Sequence, residues 1–268
     1  MLSVCSTFAM TEFNVLNFGA NLNGRTDSTN SFLKAWNSAC GTADLTFIYV
    51  PKGRYLVGSL AFKGQCKSPQ IIIRIDGTIV APLDYGVLGK SDNCSALKVD
   101  VGQNWPVIEQ VTCGPGHGIS IGSLAKDLKE EGVQNVTVKN TIFSNTQNGL
   151  RIKSWAKRSS GYVQGVQFLG SVMTNVQNPI VIDQNYCPRN ENCSGQISGI
   201  KIKDIVYEDI RGTSSTPIAI KFDCSSKNLC TGIRLQNVNL TYLNKAAQSF
   251  CSNVVGKTFD LVRPNSCL

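Results

Sequence analysis

Histidine is nearly absent, at one residue in 268. Transition-metal centres draw heavily on imidazole, so no metal site and no other cofactor is expected. Charged residues are scarce as well, 16% of the chain against 42% apolar, which excludes a disordered or tail-like protein. No apolar run approaches the roughly 20 residues that cross a bilayer, so no membrane is expected as a partner. Helical periodicity is missing except over about residues 31–40, SFLKAWNSAC, where Phe32, Ala35, Trp36 and Ala39 share one face and Asp27 or Ser28 is placed to cap it. Signatures of zinc fingers, helix-turn-helix or RNA-binding modules are lacking, and the basic residues are scattered rather than clustered. Nucleic acid is therefore not expected, although Lys plus Arg outnumber Asp plus Glu by 26 to 18; the net charge of +8 suits some other polyanion.

Cysteine, by contrast, is plentiful. Eleven Cys beside a single His favour disulfides over zinc, and hence an oxidising compartment. Cys187 with Cys193 and Cys224 with Cys230 each flank five residues, a spacing that staples a surface loop; Cys40 with Cys66 and Cys251 with Cys267 are natural further pairs. Sequons at Asn93, Asn135, Asn192 and Asn239 also fit secretion. The opening MLSVCSTFAM has no basic region and no cleavage site, so residues 1–12 read as a degenerate leader ahead of one domain, 13–268.

Repeats organise that domain. VQNVTVKN, GVQFLGSV, SGIKIKDI and TGIRLQNV place Val136, Val166, Ile200 and Ile233 in matching positions, 30, 34 and 33 residues apart, and NGLRIK, NPIVID and TPIAIK recur in step from Asn148, Asn178 and Thr216. Apolar and polar residues alternate in each segment, so these are strands with one core face. Coils of this size with Asn, Gly and Ser at the bends predict an all-β, single-stranded right-handed parallel β-helix, plugged at its N-terminal end by the short helix; a β-sandwich is the alternative. One face of such a solenoid is a long groove, suited to an extended polymer.

Chemistry-bearing residues concentrate in two strings. His117 stands among glycines in CGPGHGISIGSL, and Arg151 and Lys153 flank Ile152 in NGLRIKSW, so the two cations leave one strand face while Ile152 enters the core. Together with FNVLNFGANLNGRTDSTNSFLKAWNSAC, YVPKGRYLVGSLAFKGQCKS, VQNPIVIDQNYCP and GIKIKDIVYEDIRGTSSTPIAIKFDCS, these strings resemble the plant polygalacturonases of glycoside hydrolase family 28 over nearly all of Phe13 to Leu268. The resemblance implies a pectin-lyase-like domain acting on α-1,4-galacturonosyl links of pectin in the cell wall, as a secreted monomer, with His117, Arg151 and Lys153 on the substrate side. A guanidinium grips a uronate carboxylate bidentately and an ammonium adds a point charge.

Inverting hydrolysis also requires a carboxylic acid and a carboxylate. The family takes them from an Asn-Thr-Asp and a Gly-Asp-Asp-Cys motif, and the first is absent here, as if central coils were missing around residues 90–105. Ser91-Asp92-Asn93-Cys94 resembles the second with one acid changed to an amide, which would leave Asp92 as the catalytic acid and pair Cys94 with Cys113; equally, Asp92 is an ordinary turn residue. In that resemblance Asp183 and Asp223 fall in structural positions further along the solenoid, and Asp127, Glu130 and Glu131 form a loop near the His117 string, within reach of the groove or simply solvated surface acids. The chain thus reads as a polygalacturonase of impaired chemistry, or as a non-catalytic pectin-binding homologue or splice product.

Overall fold

A computed structural model describes residues 10–58, 60–63, 66–80, 97–100, 107–130, 132–187 and 197–268. The chain winds as a right-handed parallel β-helix. Among the described residues, one sheet holds fifteen strands and a second holds five: Ile119–Leu124, Asn148–Trp155, Asn178–Tyr186, Ile218–Asp223 and Gln248–Ser252. Every described strand pairing is parallel save one short hairpin, Cys230–Tyr242 with Lys245–Ala246. Crossovers between the sheets bring each strand beside its counterpart one coil later.

The bends explain the register. Asn135, Gly165, Asp204 and Gly232 stack through successive coils with φ of 55°, 65°, 57° and 66°, and five residues on Asn140, Gly170, Asp209 and Asn237 do the same. Gly, Asn and Asp occupy this left-handed region at the least cost, so the same residue types recur at each corner. That stack corrects the repeat drawn from sequence: Val166 pairs with Ile205, not Ile200, and Ile205 pairs with Ile233. The true spacings are 30, 39 and 28 residues (136 to 166, 166 to 205, 205 to 233), because one coil carries a longer connection after Tyr186. Similarly Ile180 pairs with Ile220, two residues beyond the match that NPIVID and TPIAIK suggest. Ile200 still reaches the core, ahead of its coil's corner.

Core residues alternate along both sheets. Leu150 and Ile152 from one sheet and Val166 and Phe168 from the other share one core, all fully buried, each such side chain contributing about 1.5–3 kcal/mol by leaving water. Phe168 stacks on Tyr207 at 5.0 Å, and Tyr207 approaches Phe222 at 5.9 Å, so an aromatic ladder runs up the interior. The N-terminal end is closed by the helix Thr29–Gly41, whose Trp36 stacks on Phe62 at 4.6 Å. Its N-cap residue is Ser28, whose hydroxyl accepts from the backbone of Asn21 rather than from the helix, while Asp27 accepts the Thr29 N–H at 2.8 Å. Disulfides Cys40–Cys66, Cys224–Cys230 and Cys251–Cys267 form as the spacing predicts. Cys187 is disulfide-bonded too, and its expected partner Cys193 lies outside the described residues.

Candidate active site

The five-stranded sheet carries the site on its outer face. Leu150 and Ile152 belong to the core, so Arg151 and Lys153 leave the opposite side of the same strand. Register then sets their neighbours: Ser120, Arg151, Val181 and Lys221 form one row across four strands, and Lys153, Asp183 and Asp223 form the next. The cations are not displayed to solvent as an ordinary strand face would be. Arg151 is 8% exposed and Lys153 is fully buried. Arg151 donates from Nε to the Ser120 hydroxyl at 2.9 Å, which fixes the plane of the guanidinium. Tyr186 completes the cluster, with the Lys153 ammonium 4.5 Å and the Arg151 guanidinium 6.0 Å from its ring centroid.

Tyr186 escaped sequence reasoning although VIDQNYCP was in view. A register shift between Lys153 and Trp155 sets Tyr186 opposite Trp155, and strict alternation gives no hint of such a bulge. Ser120 escaped for a different reason: only knowledge of the pairing shows that it faces Arg151.

His117 stands one strand over, in the turn before Ile119–Leu124. The turn is built on close approach. A Cβ on Gly114 would lie 1.9 Å from the Ser144 carbonyl oxygen, and one on Gly118 would lie 1.8 Å from that of Asn148. Both glycines have positive φ, 138° and 82°. Asn148, itself buried, donates its side-chain amide to the His117 carbonyl at 3.2 Å, so the His117 backbone is tied to the strand that carries Arg151. The structure therefore brings His117, Arg151 and Lys153 onto neighbouring strands, with His117 half-buried.

The acids are distributed differently from the sequence reading. Asp92 and Glu131 lie outside the described residues, as does Cys94, the partner suggested for the buried Cys113. Asp127 is exposed, and Glu130 accepts the backbone N–H groups of Ala125 and Lys126 at 2.5 and 2.9 Å, so it closes a turn. Asp183 and Asp223, by contrast, sit in the row beside Lys153. Burial raises the Asp183 carboxyl above its usual range, and Asp223 adds to the rise, whereas Lys221, the Asn185 N–H and Arg151 oppose it. Asp223 is 3.5 Å from the Lys221 ammonium and accepts from the Asn185 amide at 2.7 Å. Among the described residues no group of three His, Cys, Asp or Glu side chains is placed to hold a metal ion. Arg151, the buried Lys153 and Lys221 thus share this face with two carboxylates and an aromatic ring.

Comparison with known proteins points the same way. The profile of Glycosyl hydrolases family 28 matches residues 81–266. A polygalacturonase of Prunus persica is 37% identical over 368 aligned positions, covering 96% of this chain and 93% of its own, and Polygalacturonase QRT2 of Arabidopsis thaliana is 30% identical, covering 94% and 83%. Among solved structures, the endo-xylogalacturonan hydrolase of Aspergillus tubingensis superposes with a TM-score of 0.60 at 16% identity, over 94% of this chain and 78% of that one, a likeness of fold. The profile match and the polygalacturonase relatives together show that this chain belongs to glycosyl hydrolases family 28, as a polygalacturonase-type hydrolase.

Proposed function

We propose that the outer face of the five-stranded sheet binds the galacturonate units of pectin in the cell wall, and that hydrolysis there is far slower than in complete family members. The observation that carries the binding reading is the Arg151–Lys153–Tyr186 cluster. Two cations held in fixed positions against one ring have already lost much of their solvation and side-chain freedom, so a uronate carboxylate gains charge-assisted hydrogen bonds at low further cost. His117, held by the glycine turn, borders the same surface.

The slow-chemistry reading rests on the carboxylates. A general acid must protonate the leaving oxygen while a base activates water from the other side, with the pair about 6.5–9.5 Å apart in inverting enzymes. The Asn-Thr-Asp string is absent, and the alignment with the Prunus persica protein runs over 368 positions although this chain has 268 residues, which supports the loss of a central block. Asp92 is the acid that the family resemblance would keep. Disulfides at both ends of the solenoid support an extracellular site of action.

Two measurements test this. Calorimetric titration with trigalacturonate should show binding that falls at least tenfold when Arg151→Met and Lys153→Met are combined, substitutions that preserve bulk in a buried site; equal affinity removes this face as the binding site. Reducing-sugar release from polygalacturonate should lie orders of magnitude below a complete homologue. Comparable turnover would sink the slow-chemistry reading, and its loss in Asp92→Asn would identify the acid.

A further inference from the structure

Beside the site face, where four loops leave the five-stranded sheet, lies a cavity of about 670 Å³ whose lining includes Lys126, Lys157, Arg158 and Lys227. No Asp or Glu is among its described lining residues; Leu128 and Ile197 supply apolar wall. Four cations round one concavity repel each other and favour an anionic occupant.

The walls are set before any ligand arrives. Ser160 donates its backbone N–H to Leu128 O at 3.0 Å, Gly199 to Lys157 O at 2.8 Å, and the Asn228 side chain to Ser198 O at 2.8 Å, so loops from successive coils are bonded one onto the next. Behind them Ser154 and Ser198 share a buried hydroxyl contact of 2.7 Å. The cavity is also connected to the site. Lys157 places its ammonium 5.1 Å from the ring centroid of Trp155, Trp155 meets Tyr186 edge-on at 5.2 Å, and Tyr186 covers Lys153 at 4.5 Å. Lys157 and Lys153 are thus at most about 15 Å apart along this track.

We propose that this cavity is a second anion subsite, which takes a carboxylate-bearing sugar of the same polymer chain a few units from the one held at Arg151 and Lys153. The inference rests on the function proposed above and adds a prediction that the site alone does not make: affinity should grow with oligomer length once the chain reaches the lysines. An aromatic floor between two cationic sites suits such a chain, since a sugar ring lays its C–H face on an indole or phenol while its carboxylates point to the charges on either side.

The test compares trigalacturonate with hexagalacturonate by calorimetry. In the native chain the hexamer should bind about tenfold more tightly. The triple variant Lys157→Ala, Arg158→Ala, Lys227→Ala should lose that advantage and keep its trimer affinity within about twofold. A control that removes Lys201, Lys203 and Arg211, exposed on the opposite sheet, changes net charge equally and should retain it. An unchanged hexamer advantage in the cavity variant, or an equal loss in the control, overturns the subsite. If the trimer binds independently of Arg151 and Lys153, the function proposed for that face fails and the length effect still judges the cavity; if neither oligomer binds, both readings fail.

Discussion

Gly118→Ala is the substitution in which packing and function are most tightly joined. The added methyl would be built 1.8 Å from the Asn148 carbonyl oxygen and 2.6 Å from its carbon, both backbone atoms of a paired strand. Ordinary contact begins near 3.4 Å, so the Ile119–Leu124 and Asn148–Trp155 strands must part by about 1.6 Å at this end. Forcing a Cβ into φ of 82° adds about 1–2 kcal/mol, and the overpacking about 1–3 kcal/mol. A loss of about 2–5 kcal/mol lowers Tm by roughly 10 °C in a chain of this size. The same opening moves His117 away from the strand of Arg151, and a displacement beyond about 1 Å is enough to spoil a preorganised site, so trigalacturonate affinity should fall with it. Scanning fluorimetry and calorimetry on one preparation read both effects. Gly41→Ala is the control: it ends the helix with open space around it and should leave Tm unchanged or slightly raised. If Gly118→Ala melts within about 1 °C of the native chain, the close approach of these strands is wrong.

Three further outcomes are expected. Tyr207→Phe should stabilise the fold by about 1 kcal/mol, because the phenol hydroxyl is buried without a hydrogen-bond partner; destabilisation in urea melts would show that the hydroxyl is satisfied. Removing Cys40–Cys66, which spans 26 residues, should cost about 3.5 kcal/mol against about 2.2 kcal/mol for Cys224–Cys230, which spans 6, and the reverse order would contradict the loop-closure account. Asp183 has its folded pKa raised, so the stability it provides is complete below the ordinary carboxylate range and is lost as pH rises through the raised value; Asp183→Asn should therefore raise Tm at pH 7 and have no such effect at pH 3, and an equal gain at both would refute the assignment.

Much of the architecture was legible because a solenoid writes its core as alternation. Ile152 between Arg151 and Lys153 is enough to assign faces without a structure. Register was less legible. Ile200, Ile202 and Ile205 are all buried, so a repeat anchored on apolar residues matches in more than one frame. The corner residues would have decided it, since Asp204 shares a left-handed conformation with Asn135, Gly165 and Gly232. In the five-stranded sheet NGLRIK and NPIVID match in the true register, which sets Lys153 opposite Asp183, and only the two-residue slip at TPIAIK keeps Asp223 out of that row. The burial of the two cations was illegible for another reason: it depends on Tyr186, which reaches them through a bulge from a neighbouring coil.

The stacked corners have a consequence for descent. Because each turn meets the next through identical left-handed bends, the coil between Val166 and Ile205 absorbs nine residues more than the one before it and yet returns to register. Insertions collect in the connections, at the margin of the site face, while the interior sees only matched rungs. A lineage with this scaffold can rewrite the walls of its binding surface, loop by loop, without renegotiating its core.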